Sequence, residues 1–288
     1  KKGESIIFSA STAETDPARF EEVYENETKG RTCRTSFYNC LKNAAQQFYL
    51  KNEYGDYIMA GYPWYNVRGR DELIALPGCT LAVNNVEDFH KIMDTFIQAQ
   101  NHYLKTGEKD RVIHEIDLPD IPLWTIWAIQ AYRKATDTAS CREKYGEEVR
   151  RLVEDIRNGR VPNLRLNDNG LVSSEGRDTP VTWLSASING RPIIPRTGYI
   201  LEFNALWYNA LRFLQSLYEE ERGMEEYVKE LDDLAKLAGE SFISTFLNGY
   251  GYLYDYVSGS YTDLEVRPNM AIAIGLEYSP LSRRQRKT

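Results

Sequence analysis

An all-α fold is what this sequence predicts, and three observations carry it. The segment "VEDFHKIMDTFIQAQNHYL" places Phe89, Ile92, Met93, Phe96 and Ile97 on one helical stripe. "IPLWTIWAIQAYRKAT" does the same with Leu123, Trp124, Trp127, Ala128, Ala131 and Tyr132. Strand signals are thin by comparison: "SIIFSAS" near the start alternates weakly, and "YGYLYDYV" reads as a short hairpin.

Taken in order, apolar and polar residues mix helically from Thr35 to Asn52. The stripe beginning at Val86 has Asn85 as its cap, and the next has Asp120 and Pro122 as its start signal. Further helices are expected at about 139 to 158, 203 to 219, 224 to 247 and 269 to 276. Two long irregular stretches, about 53 to 70 and 159 to 200, are rich in Gly, Pro, Asn, Arg and Trp. Loops of that length inside a domain usually carry function. No fixed repeat is present, but helices of similar length recur without strands between them. Paired helices around a ring, with the long loops gathered at one rim, account for this pattern.

The 288 residues are 42% hydrophobic, enough for a sizeable core, so the chain is globular. A net charge of -7 excludes the basic surface that nucleic acid or an anionic membrane demands, and a neutral or cationic ligand fits better. The informative bias is aromatic: 20 Tyr and 5 Trp supply flat rings with polar edges, suited to stacking on sugars or bases. Cys33, Cys40, Cys79 and Cys141 form no CxxC pair and the three histidines are scattered, so neither a zinc site nor a disulfide framework is expected. Buried thiols, with no signal-like segment and no apolar run near the roughly 20 residues of a membrane span, point to the cytoplasm.

Chemistry-bearing residues concentrate in the loops. Trp64, Arg68, Arg70 and Asp71 lie in the first; Asp117, Asp120 and Trp124 precede or open a helix; Glu175, Asp178, Trp183, Arg196 and Glu202 span the second. Aromatic platforms with carboxylates and arginines suit a carbohydrate, whose hydroxyls take paired hydrogen bonds while its C–H faces rest on indole. They also suit glycosidic hydrolysis, which uses one protonated and one ionised carboxyl group. Each residue has an ordinary reading as well. Arg70 and Asp71 can cap and charge a helix start, Trp124 and Trp127 can be core, and Glu202 can be a first-turn acid. Asp232, Asp233 and "EEER" at 219–222 read as solvated faces.

The motifs "AGYPWYNVRGRDELIALPG", "DIPLWTIWAI", "VTWLSA", "IPRTGYILEFNALWYNALRF" and "VRPNMAIAIGLEYSPLS", in this order, resemble the C-terminal domain of bacterial and archaeal glycogen debranching enzymes, the amylo-α-1,6-glucosidase family. The resemblance implies an (α/α)6 toroid related to glucoamylase, acting on α-1,6-linked glucose at glycogen branch points with no metal or organic cofactor. It implies that Arg70 and Asp71 grip the terminal glucose, and that Trp64, Arg68, Asp120, Trp124, Trp183, Ser185, Arg196 and Trp207 lie near the pocket. It also implies a domain over 31–288, with residues 1–30 the end of an upstream β-rich domain or linker. About eight helices are legible where such a ring has twelve, so the chain reads as part of a longer protein.

Two departures from the family pattern bear on activity. Where the family has an aspartate after "TWM", placed as general acid, "TWLSA" has Ser185, whose hydroxyl is far too weak an acid to protonate a leaving oxygen. Asp178 and Glu202 are the carboxylates expected to take over catalysis. The family's "W-G-R-D" is also altered, with Arg68 replacing a pocket ring by a cation. The alternative to an inverting α-1,6-glucosidase is therefore a degenerate α-glucan-binding or scaffold protein that keeps the sugar clamp.

Overall fold

The computed structural model describes residues 6–11 and 14–287, and the chain divides into two compact units, Lys1–Tyr49 and Leu50–Thr288. In the first, Asp16 accepts from the Ala18 amide at 2.9 Å and caps a 3-10 turn at Pro17–Arg19, which leads into α1 (Phe20–Lys29). Ser36 caps α2 (Phe37–Gln46) by accepting from the Asn39 amide. The helix expected to reach Asn52 therefore stops at Gln46. Residues 6–11 of "SIIFSAS" form no strand, and its Ser5 lies outside the described residues.

A hairpin of β1 (Tyr49–Asn52), whose first residue closes the first unit, and β2 (Gly55–Ile58) precedes the second unit's helices. β3 (Val67–Arg68) runs directly into α3 (Gly69–Cys79), followed by α4 (Val86–Thr106) and β4 (Ile113–His114). The Asn85 side chain accepts from the Asp88 amide at 3.2 Å, so it caps α4 as its sequence position suggests. α5 (Ile121–Ala135) and α6 (Thr138–Arg157) come next. The long stretch after α6 holds only two-residue strands: β5 (Arg165–Leu166), β6 (Val172–Ser173), β7 (Ser187–Ile188), β8 (Arg191–Pro192) and β9 (Tyr199–Ile200). α7 (Leu201–Tyr218), α8 (Glu225–Phe246), β10 (Tyr256–Ser258), β11 (Tyr261–Thr262) and α9 (Asn269–Gly275) complete the chain. The hairpin expected at 250–257 is thus displaced toward the C-terminus.

The described residues are mostly helical with small sheets, and in the second unit α7 is covered by several other helices. It packs on α5, α6, α8 and α9, and Leu201, Phe203, Leu206, Trp207, Ala210, Leu211, Phe213 and Leu214 are all buried. A helix apolar on nearly every side belongs inside a core. Each large side chain removed from water there contributes about 1.5–3 kcal/mol before entropic costs.

Two short pairings place the loops that matter. β3 and β4 pair in parallel, Val67 with Ile113 and Arg68 with His114, which brings the start of α3 to the segment leading into α5. β9 pairs antiparallel with β10, Ile200 with Tyr256 and Tyr199 with Val257. Gly198, at φ +81°, makes the second pairing possible, because a Cβ there would sit 2.4 Å from the Val257 carbonyl oxygen.

Candidate functional site

Arg70 and Asp71 do not pair with each other. Arg70, only 3% exposed, turns to Asp120, donating from Nε at 2.6 Å and from Nη2 at 2.8 Å. The same carboxylate accepts from the Trp124 indole at 3.1 Å, and Arg70 Nη2 also reaches the Val181 carbonyl at 3.3 Å. Burial pulls the Arg70 guanidinium down, but the Asp120 charge outweighs it and the pKa is raised. Asp120 does occupy the N-cap position of α5, yet its carboxylate serves Arg70 and Trp124 instead of capping the helix. Trp124 is buried and meets Trp127 edge-on, so both indoles belong to this packed layer.

Asp71 faces outward, and the cation beside it is Arg68 at 3.7 Å. Arg68 is held more closely by Glu115, through Nη2 at 2.5 Å and Nε at 3.2 Å, and this bonding is the main reason its pKa is raised. Asp117 pairs with Lys109 at 2.6 Å. Just upstream the loop 59–66 closes on itself through Ala60 N–H to the Asn66 carbonyl at 2.8 Å, and it exposes Tyr62, Trp64 and Tyr65.

A second buried network lies under the other long loop. The Arg196 guanidinium bonds both oxygens of Glu202, with Nη2 to Oε2 at 2.6 Å, and both oxygens of Asp255, at 2.8 and 3.0 Å. Arg267 bridges Asp255 at 2.9 Å and Asp263 at 2.7 Å. Burial lowers the pKa of each arginine, but the carboxylates more than compensate and both end raised. Asn269 donates to Asp255 at 2.6 Å and, through its side-chain oxygen, accepts from the Trp183 indole at 2.7 Å. Trp183 is 42% exposed, so its nitrogen is fixed while much of its ring faces solvent. Because Arg70 holds Val181 and Asn269 holds Trp183, one three-residue segment joins the two networks.

Several expected contact residues are placed otherwise. Arg196 is 1% exposed with its donors bound to carboxylates, and Trp207 is 0% exposed with its indole donating to the Gly170 carbonyl at 3.0 Å. Both side chains are thus withdrawn from solvent, with their polar atoms engaged inside the protein. Glu202 is buried with both oxygens held by Arg196, whereas Asp178 sits exposed in a bend of the 175–180 loop. Ser185 is half-buried, and Glu175 accepts from the Thr197 hydroxyl at 3.0 Å. Sequence reasoning missed Glu115, Asp255, Asp263 and Asn269 as members of these networks. Asn269 and Arg267 were within reach, since both stand in the quoted "VRPNM" segment.

A family model described as amylo-alpha-1,6-glucosidase matches residues 42–288. The chain belongs to this amylo-α-1,6-glucosidase family. No curated protein matches it. The matched span contains every residue of the two networks, and the family suggests a function related to glycoside hydrolysis, with a glucan as substrate. Among the described residues no group of three or more His, Cys, Asp or Glu is placed to hold a metal ion, and no helix is long and apolar enough to cross a membrane.

Proposed function

We propose that this chain hydrolyses α-1,6-glucosidic branch points of glycogen or a related α-glucan in the cytoplasm, with inversion, on a helical ring of the (α/α)6 type. One observation carries the reading: the half-exposed Trp183, its indole N–H held by Asn269, lies two residues from Val181, whose carbonyl is held by the Arg70 that also binds Asp120. An indole fixed by its N–H offers a sugar C–H face a rigid platform with little entropy left to lose. Arg68, Asp71 and Trp64 supply polar and aromatic groups on exposed neighbouring segments.

Inverting hydrolysis needs a carboxylic acid to protonate the glycosidic oxygen and a carboxylate about 6.5–9.5 Å away to activate water. Of the two carboxylates expected to act, Glu202 is occupied by Arg196, so we assign the acid role to Asp178. The degenerate reading is favoured by one specific observation, Ser185 at the family's acid position with Glu202 withdrawn into an ion-pair network.

Glucose release from a glycogen limit dextrin, with dextrin binding measured in parallel, separates the readings. The enzyme reading expects release by the wild type and a loss of about 10²- to 10⁴-fold in Asp178→Asn with binding kept. Binding without release supports the degenerate protein. Neither binding nor release overturns both.

A further inference from the structure

We infer that Glu72 is a positioning residue that locks the aromatic 59–66 loop onto the start of α3 while its carboxyl group is neutral. The inference rests on the α-glucan reading for its functional consequence, since that loop carries Trp64. Glu72 follows Arg70 and Asp71 in the first turn of α3, but unlike Asp71 it is 1% exposed. Its Oε1 accepts from the Ile58 amide at 2.9 Å. Ile58 is the last residue of β2, and the chain leaves it directly into the loop exposing Tyr62, Trp64 and Tyr65. The same loop returns at Val67, two residues before α3 begins. Glu72 thus ties the departing strand to the helix on which the returning strand ends.

The second oxygen makes this lock conditional. Glu72 Oε2 is buried and has no hydrogen-bond partner. The charged or titratable groups acting in this place are Asp110, ahead of β4, and the phenol of Tyr57 on β2, and neither is a cation. An ionised carboxylate would have one amide as its partner and one oxygen unsolvated, with the Asp110 charge repelling it. Burial, only partly offset by the Ile58 amide and reinforced by Asp110, accordingly pushes its pKa up to about 8. Near neutrality the group is a neutral acid whose oxygen receives the Ile58 N–H. Above its pKa the charge is relieved by admitting water, which means separating β2 from α3 and releasing the neck of the loop.

Two variants and two readouts test this. Glu72→Gln keeps an oxygen for Ile58 and cannot ionise, whereas Glu72→Met removes the acceptor. In the wild type, α-glucan affinity is expected to fall about tenfold between pH 7 and pH 9, following the neutral fraction of a group titrating near 8. Glu72→Gln should hold its affinity flat across that range, and Glu72→Met should bind weakly at both ends. Amide hydrogen exchange over residues 58–66, corrected for the intrinsic pH dependence, gives the same comparison without any glucan. Loss of protection at pH 9 in the wild type but not in Glu72→Gln supports the lock even if no glucan binds, in which case it is the glucan reading that fails. Identical alkaline behaviour of wild type and Glu72→Gln in exchange, or full neck protection in Glu72→Met, would overturn it.

Discussion

Replacing Glu202 by Gln separates a structural carboxylate from a catalytic one. Glu202 sits in the first turn of α7 with 1% of its surface exposed, and both oxygens accept from Arg196. Gln keeps one acceptor and turns an amide N–H₂ toward the other guanidinium nitrogen, so one charge-assisted bond is lost and the other keeps its cationic donor but loses its anionic acceptor. Hydrogen bonds to charged groups contribute about 1.5–3 kcal/mol each, and Asp255 still neutralises Arg196, so the expected cost is about 3 kcal/mol. For a domain of this size that lowers the melting temperature by roughly 6–12 °C. The assay is thermal unfolding by calorimetry, with glucose release measured well below both transitions. The melting temperature should drop while residual turnover stays within a few-fold of wild type. An unchanged melting temperature with release reduced more than about 100-fold would make Glu202 a reacting group and refute the reasoning.

Three further outcomes follow from the same geometry. Trp183→Ala removes the exposed platform, so dextrin affinity should fall roughly 5- to 30-fold, equivalent to about 1–2 kcal/mol; it also takes the donor from buried Asn269, so the melting temperature should fall by a few degrees. Gly198→Ala places a Cβ 2.4 Å from the Val257 carbonyl at φ +81°, so a loss of more than about 2 kcal/mol is expected by denaturant titration. Glu72 has a folded pKa near 8 against 4.5 for the free group, so its stabilising contribution is complete below pH 4.5 and lost as pH rises toward 8. The slope is about 1.4 kcal/mol per pH unit inside that window, and pH-dependent unfolding of Glu72→Gln should lack it.

The parts of the fold legible in sequence are those with a wide amphipathic stripe. α4 and α5 announce themselves because Phe89, Ile92, Met93 and Phe96, then Leu123, Trp124 and Ala128, face one core. α1 escapes notice because none of its residues is buried, and α3 because Gly69, Pro77 and Gly78 interrupt its pattern. Strands of two residues, as in β5 to β9, leave no alternation to read. Arg70, Asp120, Trp124, Trp183, Arg196 and Glu202 stand out in the sequence as chemistry-bearing residues, but which of them are partners cannot be read there. Arg70 meets Asp120 across 50 positions and Trp183 meets Asn269 across 86, distances that only the packing of α3 on α5 and of the 180s loop on α9 determines. Glu72 carries no signal of its own: it stands beside Asp71 in the first turn of α3, and nothing in its neighbours' identities reveals that it points inward.

The most direct test of the central claim is proton NMR of the first sugar released from a singly branched α-1,6 dextrin by the intact protein. β-Glucose should appear first and then mutarotate toward the equilibrium mixture of anomers, because a single displacement at an α-linkage inverts the anomeric centre. α-Glucose as the first product, or no glucose at saturating dextrin, would contradict it.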